Sequence, residues 1–184
     1  MNIRRLSVLF ILLAILAGCT TTDTHHVLLI STADQRMLVL RDNIKIAEYP
    51  VSTSKFGVGD APHSNATPTG LLRIQKKIGA HAPSGSVFKS RRLTGEVLPV
   101  DAPGRDPIVT RILWLDGLQP QNRNAFGRYI YIHGTPEERN IGVPSSYGCI
   151  RMRSGDVIAL YDTVGTGARV LITTQPFKRP EKIH

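Results

Sequence analysis

Cysteine is nearly absent from this chain. There are two in 184 residues, which excludes a disulfide-dense scaffold and a four-cysteine zinc site. Long apolar runs are missing too: none reaches the roughly 18 residues that span a bilayer, so a multi-pass membrane protein is excluded. Aromatics amount to 6%, with one Trp. They do not interleave with the basic residues as in nucleic-acid modules, so nucleic acid is not an expected partner. Acidic residues are scarce, 14 Asp and Glu against 23 Lys and Arg, a formal net charge of +9. Gly 16 and Pro 12 suit a loop-rich β protein and are far too few for collagen. With 41% hydrophobic and 20% charged residues, the composition is that of one globular domain and not of a disordered chain.

What is present begins with an address. Met1–Arg5 carries two arginines, and Leu6–Ala17 is apolar except for Ser7, the charged and apolar regions of a signal peptide. The run ends in Leu16-Ala17-Gly18-Cys19, which resembles the lipobox of bacterial lipoproteins. Residues 1–18 are therefore expected to be a lipoprotein signal peptide, with Cys19 lipidated and residues 19–26 a polar tether. Thr after Cys19 points, by analogy with Gram-negative sorting, to a periplasmic body anchored in the outer membrane. Two acyl chains are needed for stable anchoring. Cys149 is then the one remaining thiol in an oxidising compartment, where a free cysteine is buried or used.

Removal of Arg4 and Arg5 leaves +7, of which +5 falls within residues 69–111. Such a surface favours an anionic partner, a phospholipid headgroup or an acidic polymer.

The body reads as strands. Val27–Ser31 and Met37–Leu40 flank a turn at Asp34-Gln35, and Ile44–Tyr49 alternates at period two. Leu71–Lys76, Val109–Leu115, Arg128–His133 and Arg169–Thr173 complete roughly seven strands. One helix is expected, with Ser154 as N-cap, Val157, Ile158, Leu160, Tyr161 and Val164 as its apolar stripe, and Gly165 as its stop. This predicts a mainly β, sandwich-like fold with one packed helix. Its domain covers residues 27–174, and residues 175–184 form a basic C-terminal tail. Residues 79–108 read as a long Gly/Pro-punctuated loop, a lid or wall over the site.

The chemistry concentrates in residues 131–153. His133-Gly134-Thr135 ends a strand, and Ser146-Tyr147-Gly148-Cys149-Ile150-Arg151-Met152 follows. A thiol and an imidazole are what acyl transfer through a thioester requires, since thiolate attacks and a base must take its proton. An imidazolium–thiolate pair would bring reactivity near its plateau already at neutral pH. Gly148 allows a tight turn that presents N–H groups to an oxyanion. By spacing alone, the same residues also fit a small buried thiol and a hydrogen-bonded neutral ring.

Taken together, these motifs resemble the L,D-transpeptidase catalytic domain (YkuD-type). Tyr49-Pro50-Val51-Ser52-Thr53 and Thr67-Pro68-Thr69-Gly70-Leu71 fit the same family. The resemblance spans about Val27 to Thr173. It implies Cys149 as nucleophile and His133 as general base and acid, with the Gly134 carbonyl orienting the ring. It further implies Gly148 and Cys149 N–H groups, with Tyr147 as a third, at the oxyanion. Ser146 and Arg151 would support the loop. Tyr147 stands where many members carry histidine, and tyrosine cannot shuttle a proton near neutral pH. Glu137 and Glu138 read as solvated loop acids.

The implied substrate is a peptidoglycan tetrapeptide stem, from which terminal D-Ala leaves and the acyl group passes to an amine. The amine would serve cross-linking or attachment of protein to the wall. Water as acceptor would instead give an L,D-carboxypeptidase or amidase, and a vestigial site would give a wall-binding lipoprotein. No metal and no cofactor are expected, because no histidine pairs with a second ligand at metal spacing.

Overall fold

The computed structural model describes residues 22–177. The signal segment, Cys19 and the tail beyond Phe177 lie outside the described residues. Among the described residues ten strands form one sheet: β1 His26–Ser31, β2 Arg36–Arg41, β3 Ile44–Pro50, β4 Gly70–Ile78, β5 Ser86–Lys89, β6 Arg92–Val97, β7 Ile108–Gly117, β8 Tyr131–Gly134, β9 Ile150–Met152 and β10 Arg169–Thr173. Their order is β3-β2-β1-β10-β4-β7-β5-β6, with β8 on β7 and β9 on β8. The β1–β10 and β8–β9 pairs are parallel and the rest antiparallel.

Alternation explains the local choices. In β1 and β2, Leu28, Ile30, Met37 and Val39 point to one face and are buried there, as period-two side chains must be. The helix α1, Ser154–Thr163, lays Val157, Leu160 and Tyr161 on that face. With Leu72, Ile74, Leu113, Leu115 and Val170 they close the larger core. A second cluster, Phe88, Ile112, Trp114 and Tyr131, lies beyond β7, and Cys149 packs against it. The sheet therefore has one core that holds the helix and another that holds the thiol.

The structure corrects several expectations. Residues 79–108 are not a bare loop: they contain the β5–β6 hairpin. Most of β6 is exposed, so no buried face imposes an alternation on its sequence. The expected strand at Arg128 starts only at Tyr131, because residues 128–130 turn back, with Tyr129 at φ +59° and Ile130 N–H bonded to Ala125 O at 3.1 Å. Ser154 is the first helical residue and not the cap. Its N–H is taken by the Glu138 carboxylate at 2.7 Å, so Glu138 is a helix cap supplied from outside the helix and not a solvated loop acid. At the other end Lys77 Nζ donates to Tyr161 O and Val164 O at 2.6 Å each, satisfying carbonyls the helix leaves open.

Candidate active site

The starts of β8 and β9 meet at the thiol. In the parallel β8–β9 ladder His133 stands opposite Arg151 and Ile132 opposite Ile150. One step earlier Tyr131 comes level with Cys149, and Tyr131 N–H donates to Sγ at 3.4 Å. The thiol in turn donates to Tyr129 O at 3.4 Å. Alternation then brings His133 and Cys149 out on the same face, two register steps apart. Among the described residues no hydrogen bond joins them.

The imidazole is fixed by its own backbone. His133 Nδ1 lies 2.8 Å from Gly134 O, a contact only an N–H can make with a carbonyl. The tautomer is thereby set, leaving Nε2 unprotonated and available as a base. His133 is 5% exposed. Burial, and secondarily the nearby Arg151 charge, push its pKa down to about 4. Burial also pushes the Cys149 thiol up to about 11, against the smaller opposing effects of the Tyr131 N–H and the charges of Arg151 and Arg128. Cys149 nevertheless keeps part of its surface open. Both shifts favour a neutral thiol and a neutral imidazole, in which His133 takes the proton as the thiol reacts, over an imidazolium–thiolate pair.

The loop carrying the thiol is held from several sides. Ser146 is fully buried; its Oγ donates to Cys149 O at 2.5 Å and accepts from Gly148 N–H at 3.3 Å. Gly148 sits at φ +115°, and a Cβ there would lie 3.2 Å from both Ala66 O and Ile130 Cδ1. Glycine is thus favoured by the backbone conformation, and a Cβ would also press its neighbours by a few tenths of an ångström. Thr67 Oγ1 donates to Gly148 O at 3.1 Å and accepts from Ser54 N–H at 3.0 Å. The two upstream motifs are therefore the loop's scaffold: Ser52 bridges Arg151 and Ser54 bridges Ser146. Among the described residues the N–H groups of Tyr147 and Cys149 find no protein acceptor, whereas that of Gly148 is engaged by Ser146.

Arg151 is paired with Asp106 at 2.6 Å, both side chains largely covered. Asp106 also accepts from Thr135 Oγ1, so the segment after β6 is clamped onto β8 and β9. Sequence reasoning passed over Asp106; its sole mark there is an acid in a basic segment. Tyr147 is 57% exposed, receives a hydrogen bond from Lys55 Nζ at 3.0 Å and tilts against Phe56 at 5.4 Å. Lys55 holds its phenol below the usual range. An open cavity of about 500 Å³ runs between Tyr129 and Tyr147, with His63, Asn65 and Arg123 on its walls.

A thiol, a backbone-oriented imidazole and N–H groups without a protein acceptor, gathered at the end of a β sheet, are the groups that cysteine-dependent acyl transfer uses. The chain belongs to the L,D-transpeptidase catalytic domain family, whose YkuD model matches residues 25–172. It is 28% identical over 170 residues to the Escherichia coli (strain K12) protein named "Probable L,D-transpeptidase ErfK/SrfK", covering 88% of this chain and 51% of that one. A second E. coli K12 protein, "Probable L,D-transpeptidase YbiS", is 28% identical over 169 residues, covering 88% of this chain and 52% of the relative. The chain spans about half the length of these curated relatives. Among solved structures it resembles L,D-transpeptidase 3 from Mycobacterium tuberculosis in complex with a faropenem-derived adduct. There the TM-score is 0.52 and the identity 18%, over 81% of this chain and 60% of that one. The L,D-transpeptidase from Mycobacterium smegmatis matches with a TM-score of 0.51 and 18% identity, over 81% of this chain and 58% of the other. At such identities the structural likeness concerns the fold.

Proposed function

We propose that this domain is a peptidoglycan L,D-transpeptidase that acts through Cys149 and His133. The observation that carries the proposal is the thiol suspended between Tyr129 O and Tyr131 N–H, beside an imidazole whose Nδ1–H is committed to Gly134 O. His133 Nε2 takes the thiol proton as Sγ bonds the stem's acyl carbon, and the carbonyl oxygen becomes an oxyanion facing the Tyr147 and Cys149 N–H groups. Collapse breaks the C–N bond, and His133 returns the proton to the departing D-Ala nitrogen. An amine then attacks the thioester, losing its proton to His133, and the thiol is restored.

Because both groups rest neutral, charge separation occurs only with substrate in place and water displaced. Preorganised N–H donors matter most in that setting. Ser146 and Arg151 hold the loop. The basic face suits a polymer bearing free carboxylates. The body would work in the periplasm, tied to the outer membrane through lipid on Cys19.

The decisive experiment incubates the purified domain with wall fragments carrying tetrapeptide stems and identifies products by mass spectrometry. Loss of D-Ala coupled to a new amide is expected from wild type, and no product from Cys149→Ala or Cys149→Ser with the fold retained. Loss of D-Ala with water as the sole acceptor would make the enzyme a carboxypeptidase. Turnover by Cys149→Ala would remove the thiol from the mechanism.

A further inference from the structure

We propose that Arg91, at the tip of the β5–β6 hairpin, binds the free C-terminal carboxylate of the acyl donor and so restricts the site to chain ends. The inference rests on the donor chemistry given above and adds a residue that selects it.

The hairpin turn is Ser90-Arg91, with φ of +50° and +65°. Both residues lie in the left-handed region that such two-residue turns require and that Asn and Gly usually fill. An arginine there is uncommon, and strained backbone concentrates at functional sites. The turn lays Arg91 back over the thiol side of the sheet. Its guanidinium carbon is 5.1 Å from the Trp114 ring centroid and 4.8 Å from that of Tyr129. Nη1 donates to the Tyr131 hydroxyl at 3.5 Å. Tyr129 and Tyr131 are the two residues whose main chain holds Sγ. The cation therefore touches the side chains of the two residues whose main chain holds the reacting sulfur.

Several cations around the site are already paired: Arg128 with Asp60, Arg151 with Asp106 and Arg105 with Glu96. Among the described residues Arg91 and the cavity-wall Arg123 have no carboxylate partner, and of these two it is Arg91 that lies on the Tyr129 and Tyr131 side chains. Lys76, the other cation over Trp114, adds positive charge. A guanidinium resting on aromatic faces with one long hydrogen bond keeps most of its planar donor fork free, and that fork matches a carboxylate.

The substrate's own geometry supplies the anion. In a donor cut at its last residue, only the leaving nitrogen and its α-carbon separate the attacked carbonyl from the terminal carboxylate. An internal amide would bring uncharged chain to the same place. Lys55 is already engaged by Tyr147.

The test compares a stem tetrapeptide ending in free D-Ala with the same peptide ending in D-Ala carboxamide. Wild type should prefer the acid by roughly ten- to a hundred-fold in kcat/KM, as one charge-assisted contact allows. Arg91→Gln should bring that ratio close to one, and Arg91→Lys should restore part of it. A residue that only packs would slow both donors alike and leave the ratio standing, which would overturn the proposal. So would a ratio kept in Arg91→Gln and lost in Lys55→Gln. Binding of both peptides to Cys149→Ser, with and without Arg91→Gln, separates this question from turnover. If wild type turns over neither peptide while Cys149→Ser binds the acid more tightly through Arg91, the transpeptidase reading fails and carboxylate recognition stands. Equal binding of acid and amide would sink the recognition.

Discussion

A thiol with a pKa near 11 beside an imidazole with a pKa near 4 makes a sharp statement about reactivity. Between these values the free enzyme carries uncharged Cys149 and uncharged His133, and the thiolate fraction rises about tenfold per pH unit. Alkylation of Cys149 by iodoacetamide should therefore climb steadily from pH 7 to pH 10 and level only near pH 11, with no inflection near the ordinary histidine value. A plateau starting at neutral pH would mean that the ion pair is preformed after all. Acylation by a carbonyl electrophile differs, because His133 can take the proton as the bond forms. His133→Ala should slow acylation by a β-lactam about 10²-fold at pH 7 while leaving the slope for iodoacetamide intact. Intact-protein mass spectrometry reads both rates. Equal β-lactam rates with and without the imidazole would remove His133 as base.

Elements far apart in sequence are locked where they flank the site. The segment after β6 is tied to β8 and β9 by Asp106, which meets Arg151 at 2.6 Å and the Thr135 hydroxyl, and by Asp101 N–H on Pro136 O at 2.6 Å. Asp106→Ala would strand the Arg151 charge with little solvent, and breaking buried pairs typically costs about 3–5 kcal/mol. The side chains keep 11% and 13% of their surface, so the low end is expected, near 3 kcal/mol in a urea melt. Replacing both partners together, as Asp106→Leu with Arg151→Met, should recover most of that loss, since no orphan charge remains. A single variant within about 0.5 kcal/mol of wild type, the usual range for surface changes, would show that the pair clamps nothing.

At the scale of the molecule, the described chain is already packed at its first residues. The Asp23 carboxylate accepts from Gly165 N–H at 2.6 Å, and Asp23 N–H donates to Thr166 O at 2.8 Å. Only residues 19–22 precede that point in the lipidated form proposed here, a reach of at most roughly 14 Å when extended. A lipid on Cys19 would hold the domain close against its membrane. Cys19→Ser should move the protein from the membrane to the soluble fraction while the isolated domain keeps its activity. A variant that still fractionates with membranes as an acylated species would refute the anchor.

Contiguity in sequence decided what could be read early. Ser146 to Arg151 is one short segment whose backbone needs follow from its own residues: a glycine at a left-handed position, and a serine able to bond two atoms of the turn. The strands β1, β2 and β4 were legible because their buried positions gather apolar residues into short runs bounded by turns. The β5–β6 hairpin was not, since its exposed edge strand carries no such pattern and its turn lacks glycine. Protonation states, the partner of Arg151, the cap supplied by Glu138 and the position of Arg91 over Tyr129 came only from the tertiary structure. Desolvation and ion pairing depend on which distant residues close around a group, and local sequence does not carry that information.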